Sequence, residues 1–145
     1  VRQQCAEVQA NEAYCRDHGI AVAQRKRGGG CVYADRGNLM VSFVTPSTHS
    51  EAVFAEFMAM LSGAFRQLGY DAVTTEHNDV LIGDHKVSGT ACYTTPTGTV
   101  VHACILYKVN LASVRQRVRN LGEIKDLGTI EDFRQQLEKQ LQLWK

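Results

Sequence analysis

The 145 residues carry a formal net charge of +1, with 44% hydrophobic and 21% charged side chains. That balance suits one globular domain with a real core and gives no basic field of the kind nucleic-acid binding rests on. No apolar run approaches the roughly 18 residues that span a bilayer, so neither a membrane nor a nucleic acid is expected as partner.

In chain order, residues 7–18 read as a helix with Val8, Ala13 and Tyr14 on its apolar side and Gly19 as its stop. Residues 20–23 are expected to form a short strand leading into Arg25-Lys26-Arg27-Gly28-Gly29-Gly30. Such a run of glycines after cations suits a concave backbone site for an anion. Residues 39–45 alternate as a strand, with Leu39, Val41 and Phe43 on one face and Pro46 ending it. Over residues 50–68, Phe54, Phe57, Leu61, Ala64, Phe65 and Leu68 recur at helical spacing, and Gly69 closes the helix. Met58 and Met60 are expected as core filler.

Residues 71–75 read as another strand, and residues 80–82 are expected to pair with Lys86 onward around Gly83-Asp84. A hairpin of residues 86–93 and 99–109 follows, across Thr95-Pro96-Thr97-Gly98. On strict strand parity Lys86, Ser88, Thr90 and Cys92 share one face. The last helix covers residues 130–144, with Thr129 as N-cap and Asp132 three places on. Several antiparallel strands with helices on one face define an α+β domain.

Cys5, Cys15, Cys31, Cys92 and Cys104 are odd in number and form no Cys-x-x-Cys pair, which suggests neither a disulfide framework nor a zinc site. Reduced thiols in a cytoplasmic protein are the expectation. His18, His49, His77, His85 and His102 show no ligand spacing.

Four ordered stretches carry a resemblance. They are Arg25 to Asn38 with its glycine run and Asp35-Arg36-Gly37-Asn38, then Asn78-Asp79 with Gly83-Asp84-His85-Lys86-Val87-Ser88-Gly89-Thr90-Ala91. His102-Ala103-Cys104-Ile105-Leu106 and Ser113-Val114-Arg115-Gln116-Arg117-Val118-Arg119-Asn120-Leu121 complete the set. Together they resemble the lipoate–protein ligase A family of the biotin/lipoate ligase superfamily. The chain departs from that pattern at Gln24, Arg27, Ala34, Ala103 and Cys104.

The resemblance implies a mostly antiparallel mixed sheet with helices packed on it, as in biotin ligases and class II aminoacyl-tRNA synthetase catalytic domains. It implies one catalytic domain over residues 1–145, incomplete at its N-terminus and short of a loop near 110–113. It also implies ATP-dependent conversion of lipoate to lipoyl-AMP and acyl transfer to a lysine of a lipoyl carrier domain. The carriers would be those of 2-oxoacid dehydrogenase complexes or the glycine cleavage H protein; ATP and magnesium would enter as substrates beside lipoate, with no tightly bound cofactor, and the enzyme would be a monomer.

By the same resemblance Lys86 is catalytic, and ATP contacts fall to Arg25, Gly30, Cys31, Val32, Tyr33 and Lys86. Lipoate or adenylate contacts fall to Gly28, Gly29, Asp79, Ser88, Gly89, His102 and Arg117, with Asp79 also a magnesium candidate. The chemistry suits these types: a carboxylate attacking a phosphate brings like charges together, and one ammonium at about 4 Å in a medium of dielectric about 20 offsets about 4 kcal/mol. Two other readings stay open, an octanoyltransferase working through a cysteine thioester at Cys92 or Cys104, and a binding-only paralogue or half of a two-piece ligase.

Overall fold

The computed structural model describes residues 12–23, 32–76, 78–113 and 117–143. The chain divides into two compact units, Val1–Tyr33 and Ala34–Lys145. In the first, helix α1 (Glu12–Asp17) ends at Gly19, whose φ of 65° is the left-handed stop expected there. Ile20 donates its N–H back to the Cys15 carbonyl at 2.7 Å. Residues 20–23 are therefore not the expected strand: their first donor closes the helix, and no ladder pairs them among the described residues. Arg25, Gly28, Gly29, Gly30 and Cys31 lie outside the described residues.

The second unit is built on five strands: β1 (Asn38–Thr45), β2 (Ala72–Thr74), β3 (Asp79–Ile82), β4 (His85–Thr95) and β5 (Gly98–Leu106). Their order is β1-β5-β4-β3-β2, every pair antiparallel. Two tight turns fix the registers. Gly83-Asp84 joins Ile82 to His85 with Gly83 at φ 60°, and Pro96-Thr97 joins Thr95 to Gly98.

Helix α2 (Ser50–Gln67) lies on one face of this sheet, with Leu68 as C-cap and Gly69 following at φ 88°. Its Phe57, Leu61 and Phe65 are fully buried against Val80, Val87, Val101, Ala103 and Ile105, joined by Leu39, Val41 and Phe43 of β1. Burying each such side chain contributes about 1.5–3 kcal/mol, so this is the face that holds the unit together. Met58 is core, as expected, and Met60 packs at its edge.

After β5 come a short 3₁₀ turn (Leu111–Ser113), helix α3 (Leu121–Ile124) and helix α4 (Ile130–Gln142). The expected cap of α4 is a full capping box: Asp132 N–H donates to Thr129 Oγ1 at 3.2 Å and Thr129 N–H donates to Asp132 Oδ2 at 2.8 Å. Phe133 of α4 stacks flat on Tyr107, ring centroids 4.2 Å apart, which brings α4 to the same core as α2. Among the described residues no helix is long and apolar enough to cross a membrane.

Candidate functional site

The face of the sheet opposite α2 carries the chemistry, and a single irregularity decides which residues reach it. Val80 of β3 pairs with Ser88, but Leu81 pairs with Lys86, so Val87 is an extra residue in β4. The bulge turns Val87 and Ser88 both inward, each fully buried. This corrects the strict parity expected from sequence. Ser88, Thr90 and Cys92 stand opposite Ile105, Ala103 and Val101 on the core-facing side, whereas Lys86 emerges on the other. The hydroxyls of Ser88 and Thr90 are buried without a hydrogen-bond partner. Ser88 thus does not meet the lysine it was grouped with.

On its own face Lys86 Nζ lies 2.8 Å from Asp79 Oδ1, with the two side chains 31% and 26% exposed. Asp79 stands opposite Gly89, and Gly89 stands opposite Cys104. A Cβ at Gly89 would come within 3.1 Å of both Nζ and Cε of Lys86, so the missing side chain is the space the ammonium uses. His102 follows on the same face, half-buried and paired with Ala91 and Ser42. Met40 and Val44 of β1 remain 57% and 71% exposed there.

The Asn-Asp pair is a turn as well as a donor set. Asn78 adopts φ 67°, its carbonyl accepts from Thr90 N–H at 3.0 Å, and Asp79 starts β3 directly after it. The close of the glycine stretch is likewise structural. Asp35 accepts from Gly37 N–H at 2.7 Å and from Asn110 N–H at 2.8 Å, while Asp35 N–H donates to Asn38 Oδ1 at 2.8 Å. The Asn38 amide then donates to Cys104 Sγ at 3.2 Å.

Arg117 reaches the site by another route. Beyond the end of β5, residues 117–119 lie beside the start of β4 in a parallel bridge of Val118 with Lys86. Lys86 N–H donates to Arg117 O at 3.1 Å, and Arg119 N–H donates to Lys86 O at 3.0 Å. The Arg117 guanidinium itself pairs with Asp84. Asn120 ties the base of this loop, its side-chain amide bonding both the N–H and the C=O of Val109 at 2.9 Å.

The structure therefore gathers Lys86, Asp79 and Gly89 and puts His102 on the same face, holds Arg117 at the margin, and separates Ser88. Val32 is exposed and Tyr33 half-buried, both in the first unit. Asn38, Asp84 and Asn120 were not singled out from sequence. For Asn38 the pointer was its place at the end of Asp-x-Gly-Asn.

The model for the lipoyl protein ligase A/B catalytic domain matches residues 1–142. The chain belongs to this ligase family. It is 32% identical over 151 residues to the lipoate-protein ligase LplJ of Bacillus subtilis, a match covering 88% of this chain but 45% of that protein. Its structure is similar to lipoate-protein ligase A bound with ATP, with a TM-score of 0.87 at 27% identity over 97% of this chain and 65% of the other. It is also similar to a structure from an archaeal lipoylation system described as a bi-partite lipoate protein ligase and its E2 lipoyl domain from Thermoplasma acidophilum, at TM-score 0.85, 28% identity, and 97% and 64% coverage.

Within this ligase fold, burial pushes the Cys104 thiol above its ordinary pKa, opposed in part by the Asn38 hydrogen bond and the Lys86 charge. A thiol so placed is protonated near neutrality and is a poor nucleophile. Among the described residues no three His, Cys, Asp or Glu side chains gather as metal ligands, and the Asp79 carboxylate is engaged by Lys86. That donor set suits a carboxylate that orients an ammonium better than a resident magnesium site.

Proposed function

We propose that this chain carries the adenylation site of a lipoate–protein ligase, which activates lipoate with magnesium-ATP and passes the acyl group to a lysine of a lipoyl carrier domain. The observation that carries this reading is the Lys86–Asp79 pair beside Gly89 on the sheet face opposite α2. In the first step a lipoate carboxylate oxygen attacks the α-phosphorus and pyrophosphate leaves. In the second, the carrier's amine attacks the acyl carbonyl and AMP leaves. Neither step needs a protein nucleophile.

Lys86 supplies a compact cation with three donors, able to touch the α-phosphate and the acyl carboxylate oxygen together. Asp79 pairs with it at 2.8 Å, and Gly89 leaves the approach open. Arg25 is assigned to the ATP phosphates, and the backbone of Gly28, Gly29 and Gly30 to the acyl-adenylate. Gly30, Cys31, Val32 and Tyr33 are assigned to the nucleotide, and His102 to the acyl carbonyl. The ATP-bound relative supports ATP as co-substrate, and the E2 lipoyl domain named as belonging to the Thermoplasma ligase supports a lipoyl carrier domain as acceptor.

The test is lipoate-dependent ATP–pyrophosphate exchange. Lys86→Ala is expected to lower the rate by about 10²–10³, the scale of losing one preorganised donor to developing charge. A variant that keeps most of the activity would remove Lys86 from the mechanism.

A further inference from the structure

Where β5 ends, β4 is left with an open edge at Lys86, since the last β4–β5 pair is Ser88 with Ile105. The chain leaves β5, turns through residues 107–113, and returns at residues 117–119 to occupy that edge. Both backbone groups of Lys86 are thereby bonded to the returning segment, the N–H to Arg117 O and the C=O to Arg119 N–H. The segment's far end is fixed by the buried Asn120 and its clasp on Val109. Its near end is fixed by the Arg117–Asp84 ion pair, from the two-residue turn just before Lys86. The other oxygen of Asp84 lies 2.6 Å from His85 Nδ1. One carboxylate thus grips the turn ahead of the lysine and the segment beside it.

We propose that Asp84 is a positioning residue for Lys86. Through Arg117 it keeps residues 117–119 seated on β4, and the seated segment fixes the peptide from which the ammonium projects. Arg117, which the resemblance assigns to the adenylate, acts in this arrangement through the lysine's backbone. The inference rests on the ligase reading for its catalytic consequence and on geometry alone for the seating. Lys86 sits immediately before the bulge, where the β3 ladder is broken, so its backbone draws more of its support from the segment than a residue in a regular central strand would.

The experiment compares the protein with Asp84→Ala and with the charge-exchanged pair Asp84→Arg, Arg117→Asp. Residue-resolved amide exchange is read at Lys86 and Arg119, with Ala103 in the centre of the sheet as internal reference, and pyrophosphate exchange gives kcat and KM. The two side chains are 71% and 55% exposed, so the pair belongs to the modest class of surface ion pairs. In Asp84→Ala the Lys86 and Arg119 amides are expected to exchange about threefold to fivefold faster while Ala103 is unchanged. The kcat is expected to fall by a similar factor, with KM for ATP and lipoate within about twofold. The exchanged pair should recover both readouts.

Unaltered amide exchange in Asp84→Ala would overturn the proposal. So would a loss of kcat that the exchanged pair does not restore, because Arg117 would then be acting on the ligand. Wild-type protein without lipoate-dependent exchange would sink the ligase reading instead, and the amide rates would still decide the seating.

Discussion

Gly89→Ala separates catalysis from folding at one position. The added Cβ would lie 3.1 Å from Lys86 Cε and Nζ and 3.8 Å from Asp79 Oδ1. Comfortable contact is about 3.5–4.0 Å, so the end of the lysine must retreat by roughly 0.4–0.9 Å. It can do so, because the atoms met are the far end of a flexible side chain about one-third exposed, and no backbone is touched. A misplacement of about 1 Å can cost about 10²-fold in rate, which puts the expected loss at roughly fivefold to fiftyfold, or about 1–2.3 kcal/mol of barrier. Stability should move the other way, since alanine in a strand removes up to about 0.5–1 kcal/mol of unfolded-chain entropy that glycine carries. The assay is pyrophosphate exchange beside a urea melt of the same preparation. Full activity in a folded Gly89→Ala protein would refute the claim that the glycine makes room for the ammonium.

Two further outcomes follow from the same region. Asn120→Ala removes both bonds to Val109 and the bond to Glu123 from a residue 5% exposed, and is expected to cost about 2–3 kcal/mol in denaturant unfolding by leaving the Val109 peptide unpartnered; a midpoint within error of wild type would show that the clasp is not needed. Alkylation of Cys104, followed by peptide mass, is expected to be slow at neutral pH and to rise only above the ordinary thiol range, because burial raises its pKa. Lys86→Ala should push that rise to still higher pH by removing a charge that lowers it, and fast labelling at neutral pH would revive a thioester mechanism.

The layers of the fold were legible because each rests on a period. Leu39, Val41 and Phe43 alternate and do face α2, and the helical spacing from Phe54 to Leu68 became one continuous helix stopped by Gly69. Both hairpin turns were marked by glycine at the expected places. Residues 20–23 failed for a local reason: short apolar runs carry no information about whether a ladder partner exists, and the helix end used Ile20's donor first. The site was legible in its residue types and not in its faces. Lys86 and Asp79 were named from the motifs, but their meeting depends on a single extra residue that leaves no trace in a two-residue period. The trace that did exist was Gly89, since an isolated glycine inside a strand pattern signals a bulge or a close approach. Here it accompanies both.

The bulge also explains how this strand can serve two faces of opposite character. Without it, the positions from Lys86 to Cys92 would keep one phase, and the ammonium would share the side of Ser88 and Thr90, against Val80, Ile105 and Ala103. Burying an unpaired ammonium there costs far more than the about 0.5–1 kcal/mol lost at an interrupted ladder bond. Inserting Val87 puts an apolar side chain into the core and sends the charge out to Asp79. On the other edge of β4, where β5 has ended, residues 117–119 satisfy both backbone groups of Lys86. The phase change and the returning segment thus act on one residue from two sides: the first chooses the face on which the cation appears, and the second holds the backbone from which it projects.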